Sequence, residues 1–127
     1  MDNTTNSLNW FEIPALDLAR ARHFYQTIFG IHMEEQNPPN MQMALFPQQM
    51  GSGKASGAVV QSMWHKPSLE GAIVYLNANP AMDPVLEKIE ASGGKITMAK
   101  TMISSEIGYM AFFVDTEGNA VALHSQK

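Results

Sequence analysis

Cysteine is absent from the 127-residue chain, which excludes disulfide bonds, thiolate nucleophiles and zinc sites built on cysteine. Charged side chains are also sparse, at 16% of the residues, and the lysines and arginines form no cluster along the sequence. Because nucleic acids are held by grouped cations, a chain with a net charge of −4 is expected to have no nucleic-acid partner. No apolar run approaches the roughly 18 residues of a membrane span, so no membrane partner is expected either.

The N-terminal segment lacks the features of a targeting sequence. Residues 1–7 are polar, include Asp2 and contain neither a basic region nor an apolar stretch, unlike a signal peptide. We therefore expect residues 1–7 to form a flexible tail before a single domain at 8–125, and we expect a cytoplasmic location. Apolar residues make up 45% of the chain, which is enough for one core at this length.

The first half of the chain has the pattern of a strand, a helix and three further strands. Alternating side chains predict a strand over 8–15, and Asp17 is a suitable N-cap for the helix that follows. Gly30 is the type of residue that ends a helix in the left-handed conformation. The apolar face of this helix consists of Ala21, Phe24, Tyr25, Ile28 and Phe29. The three further strands are predicted at 31–35, 41–46 and 57–63.

The second half repeats this order of elements. A strand is predicted over 71–77, and Asp83 and Pro84 are typical of a helix N-cap and first turn. Gly93 and Gly94 end that helix. The remaining strands are predicted at 95–102, 108–114 and 119–124, with a turn at 117–119. The sequence therefore predicts an α+β fold of two tandem βαβββ modules, at 8–66 and 70–125.

Two segments resemble a known superfamily. The opening NWFEIPALDLARARHFYQTIFG and the ending YMAFFVDTEGNAVALHS are similar to the first strand and helix and to the last hairpin of the vicinal-oxygen-chelate superfamily. This group includes glyoxalases, bleomycin-resistance proteins and extradiol dioxygenases, and the branch that the chain resembles is that of predicted enzymes related to lactoylglutathione lyase. The resemblance implies that the two modules form a glyoxalase-like half-open barrel around a cavity.

The metal-ligand positions that the resemblance implies hold unsuitable residues. Trp10 stands at the first-strand position, Ala72 on the first strand of the second module, and Ala122 on the final strand. The position late in the first module falls within 57–62, which contains no His, Asp or Glu. Indole and methyl groups do not coordinate divalent cations. We therefore expect no metal site, no cofactor and no stoichiometric metal in the purified protein.

The strand alternation also predicts which side chains line the cavity. Trp10 and Glu12 share one face of the first strand, and Ala122 shares a face with His124 on the last. Glu12 and His124 are therefore candidates for an acid–base pair. The alternative is that Glu12 is a buried, hydrogen-bonded acid and His124 a rim residue near a chain end. Tyr109 could present its phenol to a ligand or pack at a strand end. The predicted ligand-binding set is Trp10, Glu12, Ala72, Val74, Tyr109, Ala122 and His124.

The other histidines are weaker candidates. His23, His32 and His65 are all predicted to be solvated surface residues. No strand-to-helix elbow indicates a Ser-His-Asp arrangement. The ten methionines suit an adaptable apolar cavity, or they fill the core.

Three functions remain open at this point. The first is a metal-free protein that holds a small apolar or aromatic molecule in the cavity, and the second is a lyase or isomerase using Glu12, with or without His124. The third is a metal-dependent enzyme with displaced ligands. Replacing Glu12 with glutamine should abolish turnover in the second case while sparing binding in the first. We also expect a homodimer, because two small modules leave sheet edges that need cover.

Overall fold

Two βαβββ units follow one another in a computed structural model, which describes residues 1–127. The first unit comprises β1 (Trp10–Pro14), α1 (Leu18–Phe29), β2 (Glu34–Gln36), β3 (Met41–Leu45) and β4 (Ser56–Ser62). The second comprises β5 (Tyr75–Asn77), α2 (Asp83–Ile89), β6 (Lys95–Ser104), β7 (Gly108–Val114) and β8 (Ala120–Ser125). The predicted order of elements is confirmed in both modules.

Helix α1 begins and ends at the residues that the sequence indicates. The side chain of Asp17 accepts a hydrogen bond from the amide of Arg20 at 3.1 Å, which satisfies one of the free amides of the first turn. Gly30 ends the helix at φ 62, a left-handed conformation that glycine adopts without steric cost.

Each module forms a mixed four-stranded sheet. The strand orders are β1-β4-β3-β2 and β5-β8-β7-β6, with β1 parallel to β4 and β5 parallel to β8. In each sheet the first strand of the module therefore lies at an edge, beside the last. Neither sheet closes on itself, so the predicted α+β fold with a half-open barrel is confirmed.

One hydrophobic core joins the two modules. Helices α1 and α2 pack between the sheets, and the buried cluster includes Ile13 and Phe24 from the first module and Leu76 and Phe113 from the second. The opposite face of the first sheet carries a smaller cluster of Leu45, Ala58 and Val60. Each sheet therefore has one face in the core and one face that opens away from it.

The second module departs from the sequence-based boundaries in three places. Helix α2 begins at Asp83 itself, and its N-cap is Met82 without a side-chain hydrogen bond, so the prediction of Asp83 as N-cap is wrong. Strand β5 is shorter than predicted, because residues 71–74 form no ladder, while β6 continues two residues further than predicted. Apolar composition alone did not reveal that residues 71–74 lie outside the strand.

The N-terminal residues 1–9 contribute no helix or strand and are exposed. Neither helix is long and apolar enough to cross a membrane.

Candidate functional site

Strand β1 presents alternating side chains to the core and to the open face of the first sheet. Ile13 lies in the buried cluster with Phe24 and Ile28. Trp10 and Glu12 point the other way, and the indole Nε1 of Trp10 donates to Glu12 Oε2 at 3.2 Å. Trp10 is 38% exposed, so its ring is available at the surface rather than filling the interior.

Glu12 is the first member of a hydrogen-bonded chain of three side chains. Its Oε1 lies 2.8 Å from Nε2 of His65, and Nδ1 of His65 lies 2.6 Å from Oγ of Ser62. Because an ionised carboxylate only accepts hydrogen bonds, Nε2 carries the imidazole proton and Nδ1 accepts from the serine hydroxyl. The arrangement is a Ser-His-Glu relay.

Local structure holds this relay in place. Ser62 is the last residue of β4, and its Oγ accepts a hydrogen bond from the amide of Trp64 at 3.0 Å, which turns the chain back. The turn returns His65 to the sheet, where the parallel pairing of β1 with β4 positions Glu12. The side chain of His65 is only 17% exposed, so the prediction of a solvated surface histidine is wrong. Sequence reasoning missed it because its partner Glu12 lies 53 residues away.

A groove of about 780 Å³ opens beside the relay. Ser62 and His65 both line it, together with Met41, Met63 and Lys66. Lys66 is exposed and forms no ion pair, so a free cation lies in the same groove as the serine hydroxyl. The groove is therefore a polar site with the Ser62 hydroxyl, hydrogen-bonded to His65, at its wall.

His124 lies away from this relay. It belongs to β8 in the second sheet, and its Nε2 donates to the backbone oxygen of Ile107 at 2.7 Å. The structure therefore does not bring Glu12 and His124 together as an acid–base pair. The sequence argument assumed that the two open faces meet within one chain, whereas the two sheets share only their helix-covered sides.

On the open face of the second sheet, aromatic rings cover Ala122. Tyr75 and Phe112 flank Ala122 on the neighbouring strands, and their rings meet with centroids 5.9 Å apart. Ala122 is 0% exposed as a result. The small side chain at this position thus accommodates the aromatic pair and leaves no vacant volume.

The face predicted for Val74 differs from the observed one. Tyr75 and Asn77 are the register partners of Ala122 and His124, while Val74 packs against the main core. The expectation that Ala72 and Val74 share a face with Ala122 and His124 is therefore one residue out of register. The alternation was counted from residue 71, before the strand begins, and a slip of one residue reverses the face.

Tyr109 also lies toward the core side. Its ring packs against the main cluster, and the ammonium of Lys100 lies 4.6 Å from the ring centroid. This cation–π contact and the core packing account for its position.

An apolar cleft separates the edges of the two sheets. Its volume is about 810 Å³, and its lining is mostly hydrophobic. Ala72 and Val74 line this cleft, and they also line a smaller cavity of about 170 Å³ together with Glu12. The aromatic and aliphatic walls of the cleft include Leu8, Phe11, Phe29, Phe46, Ile73 and Tyr75.

The residues present do not fit the metal centre that the superfamily resemblance implies. The implied ligand positions hold Trp10, Ala72 and Ala122, and no group of three or more His, Asp or Glu side chains comes together elsewhere. Glu12 and His65 form a two-residue pair that is already engaged with Trp10 and Ser62.

A buried polar network links the final turn of module two to the start of helix α1. Glu117, whose side chain is 0% exposed, accepts hydrogen bonds from the amides of Leu16 and Asp17 at 2.8 and 2.7 Å. Arg20 Nε donates to the same carboxylate at 2.7 Å. Burial tends to raise the pKa of the Glu117 carboxyl, but the hydrogen bonds from Arg20 and Asp17 prevail and hold that pKa below its usual value.

The neighbouring Asp115 extends this network into the core. Its carboxylate accepts from the amides of Glu117 and Asn119 and from the hydroxyl of Tyr25, which lies 2.7 Å away. Burial, with the charge of Asp115, raises the pKa of the Tyr25 phenol well above its ordinary value. The side-chain amide of Asn119 donates to Pro14 O at 2.7 Å. The opening segment and the final hairpin, which carry the sequence resemblance, are thus joined by hydrogen bonds into one structural unit.

Comparison with known proteins agrees with this architecture. Residues 8–47 match the family model described as the N-terminal region of bleomycin resistance protein-like proteins. No curated protein matches the chain.

Solved structures extend the similarity over nearly the whole chain. A variant of glyoxalase I from Zea mays superposes with a TM-score of 0.67 at 17% identity, covering 93% of this chain and 46% of the maize protein. The chain thus spans about half of that enzyme. A glyoxalase/bleomycin resistance protein/dioxygenase family enzyme from Burkholderia phytofirmans gives 0.66 at 16% identity, covering 96% of this chain and 100% of the other. The corresponding domain from Frankia sp. gives 0.69 at 13% identity, with 98% and 100% coverage.

The whole chain therefore has the two-module fold of these glyoxalase-like structures. The resemblance noted in the sequence is confirmed at the level of the fold for the whole chain, and by the family model for residues 8–47.

Proposed function

We propose that the protein binds a small apolar or aromatic molecule in the cleft between β1 and β5. The observation that carries this proposal is the cleft itself, with its volume of about 810 Å³ and its mostly hydrophobic lining. Binding sites for small molecules are typically about 300–1,000 Å³, apolar, and furnished with a few polar groups that orient the ligand. Asn77 and Asn79 supply such groups at the rim.

The walls of the cleft come from both modules. Phe11 and Phe46 contribute adjacent rings from the first module, with centroids 5.5 Å apart. Ile73 and Tyr75 line it from the second and are 39% and 50% exposed. Covering these exposed apolar surfaces with a ligand removes them from water, which is the main source of affinity for a ligand of this kind.

Filling the cleft should weaken binding. A neutral naphthylamine dye should show saturable fluorescence enhancement with the wild-type protein, and Ala72→Phe should raise its Kd about tenfold, equivalent to about 1.4 kcal/mol, by occupying ligand volume. Ala72 is suitable because it is exposed and lines the cleft. Ala91→Phe, at an exposed position outside the cleft, serves as the matched control. Dye titration without saturation, or equal affinity of both variants, would refute the proposal.

We propose further that the protein is a homodimer. Large apolar side chains are exposed along two segments of the chain, and exposed apolar patches mark interaction sites. The first segment contains Met63, Trp64, Leu69 and Ile73, and the second contains Met102, Ile103 and Ile107.

Light scattering at micromolar concentration should give twice the chain mass of 14.0 kDa. Trp64→Glu should shift the population toward monomer, because a charge would be buried at the interface. Met50→Glu, at a side chain that is also exposed but lies outside both segments, should leave the dimer intact. A 14.0 kDa particle for the wild-type protein would contradict the proposal.

A further inference from the structure

We infer that Ser62 is an activated nucleophile that accepts an acyl group from an ester, through the relay Ser62–His65–Glu12. This site lies in the groove of about 780 Å³ and is separate from the apolar cleft, so the inference does not depend on ligand binding there.

The hydrogen-bond pattern assigns each group a role. Glu12 accepts from His65 Nε2 at 2.8 Å and fixes the tautomer in which Nδ1 is free to accept. Ser62 Oγ lies 2.6 Å from that Nδ1, within the range required of a nucleophile and its base. The order of groups is that of a Ser-His-acid triad, recognised by geometry and roles rather than by sequence position.

Two further contacts favour nucleophilic chemistry at Oγ. The amide of Trp64 donates to Ser62 Oγ at 3.0 Å, and this hydrogen bond fixes the rotamer in which the hydroxyl faces His65 Nδ1. The hydroxyl proton is thus donated to His65, and one lone pair of Oγ accepts from Trp64. The second lone pair of Oγ remains free to attack a substrate. Glu12 is also held by Trp10 Nε1, so the acid of the relay is oriented from two sides.

The reaction proceeds in two balanced steps. Ser62 Oγ attacks the ester carbonyl carbon while its proton passes to His65 Nδ1. The C–O bond to the alcohol then breaks, and the alcohol leaves with that proton, which gives acyl-Ser62 and a neutral imidazole. In the second step His65 takes a proton from water, whose oxygen attacks the acyl carbon. The bond from that carbon to Ser62 Oγ then breaks, Oγ takes the proton back from His65, and the carboxylic acid leaves.

The groove favours an acyl donor that carries a negative charge. Lys66 lines the groove beside Ser62 and His65 and has no carboxylate partner. Glu35 is the acidic residue of the same groove, and it is paired with Arg22 at 3.1 Å. The substrate class is therefore an ester with an acidic acyl group.

A single introduced thiol provides a direct test, because the chain contains no cysteine. Ser62→Cys should be alkylated by iodoacetamide at pH 7 about tenfold faster than Ser56→Cys, since a neighbouring imidazole raises the thiolate fraction above the few per cent of a free thiol. Ser56 is the matched control, because it lies on the same face of β4, is also half-buried and bonds only to the carbonyls of Phe46 and Pro47.

Second substitutions in the Ser62→Cys protein distinguish activation of the thiol by His65 and Glu12 from simple accessibility of the thiol. Adding His65→Gln to Ser62→Cys should return the alkylation rate to that of the control. Adding Glu12→Gln should do the same, because the new amide can donate to Nε2 and so place the imidazole proton on Nδ1. Circular dichroism and thermal unfolding verify that each variant is folded.

The wild-type protein supplies a second measurement that needs no variant. A fluorophosphonate should form an adduct that peptide mass spectrometry maps to Ser62 and not to Ser56. A p-nitrophenyl ester of succinic acid should be hydrolysed faster than p-nitrophenyl acetate, and Lys66→Gln should remove the difference. Equal alkylation of the two thiols, or no adduct on Ser62, would overturn the inference.

Discussion

Replacing Glu117 with alanine should lower the free energy of unfolding by about 3 kcal/mol. The buried carboxylate satisfies the amides of Leu16 and Asp17 and pairs with Arg20. Each of the two part-buried hydrogen bonds contributes about 1–1.5 kcal/mol, and the half-exposed Arg20 loses its partner as well. Denaturant unfolding followed by circular dichroism measures the loss.

Two further variants test the origin of this effect. Glu117→Gln retains an acceptor oxygen for the amides and should cost about half as much as alanine, on the order of 1.5 kcal/mol. Glu87→Ala, at an exposed position on α2, should change stability by no more than about 0.5 kcal/mol. Equal stability of Glu117→Ala and Glu87→Ala would show that the network contributes little.

The same carboxylate also makes stability depend on pH. Because the folded state holds the pKa of Glu117 below its usual value, its contribution is fully present above the unfolded pKa of about 4.3. The contribution is lost as the pH falls through the lower pKa of the folded state. Glu117→Gln, which has no charge to lose, should therefore show a shallower acid-induced decline than the wild-type protein.

Gly57→Ala should destabilise the protein by about 3 kcal/mol or more. Gly57 is buried in β4 and pairs with Phe11 of the parallel strand β1. A Cβ at this position would collide with the backbone oxygen of Phe11 and lie 2.6 Å from its ring carbons, so the two strands would have to separate. Overpacking a core costs about 1–3 kcal/mol, and more when backbone must move.

The measurement for this second variant is again denaturant unfolding. Ser56→Ala, the preceding residue of the same strand, loses one half-buried hydroxyl and should cost about 1 kcal/mol or less. Since the β1–β4 pairing positions Glu12 relative to Ser62, Gly57→Ala should also slow alkylation of the thiol in Ser62→Cys. A Gly57→Ala protein as stable as Ser56→Ala would refute the steric argument.

The sequence determines local features of this fold more reliably than distant ones. Helix α1 was predicted within a residue because Asp17 and Gly30 are local capping signals, each acting on the adjacent turn. Helix α2 carries Pro84 in its first turn, but the actual N-cap is Met82, which offers no side-chain signal. The strand faces of β1 were also predictable, since alternation continues through an unbroken strand.

The candidate sites depend on contacts that periodicity does not encode. Strand β5 begins at Tyr75, so counting the alternation from residue 71 placed Val74 on the wrong face. The relay joins His65 to Glu12 across 53 residues, and only the three-residue spacing of Ser62 and His65 was visible in the sequence. That spacing, following the end of a predicted strand, is the one local signal that could have indicated the site.

The capping of α1 by the last turn of the chain has a consequence for any fragment of this protein. A polypeptide ending near residue 66 would contain Leu16, Asp17 and Arg20 but neither Glu117 nor Asn119, so the start of its helix would have unsatisfied amides. The complementary piece would carry a carboxylate with no amides to accept from. Each piece therefore carries hydrogen-bonding groups whose partners lie in the other piece. When the two pieces are produced separately and mixed, forming these hydrogen bonds favours their association in the native arrangement.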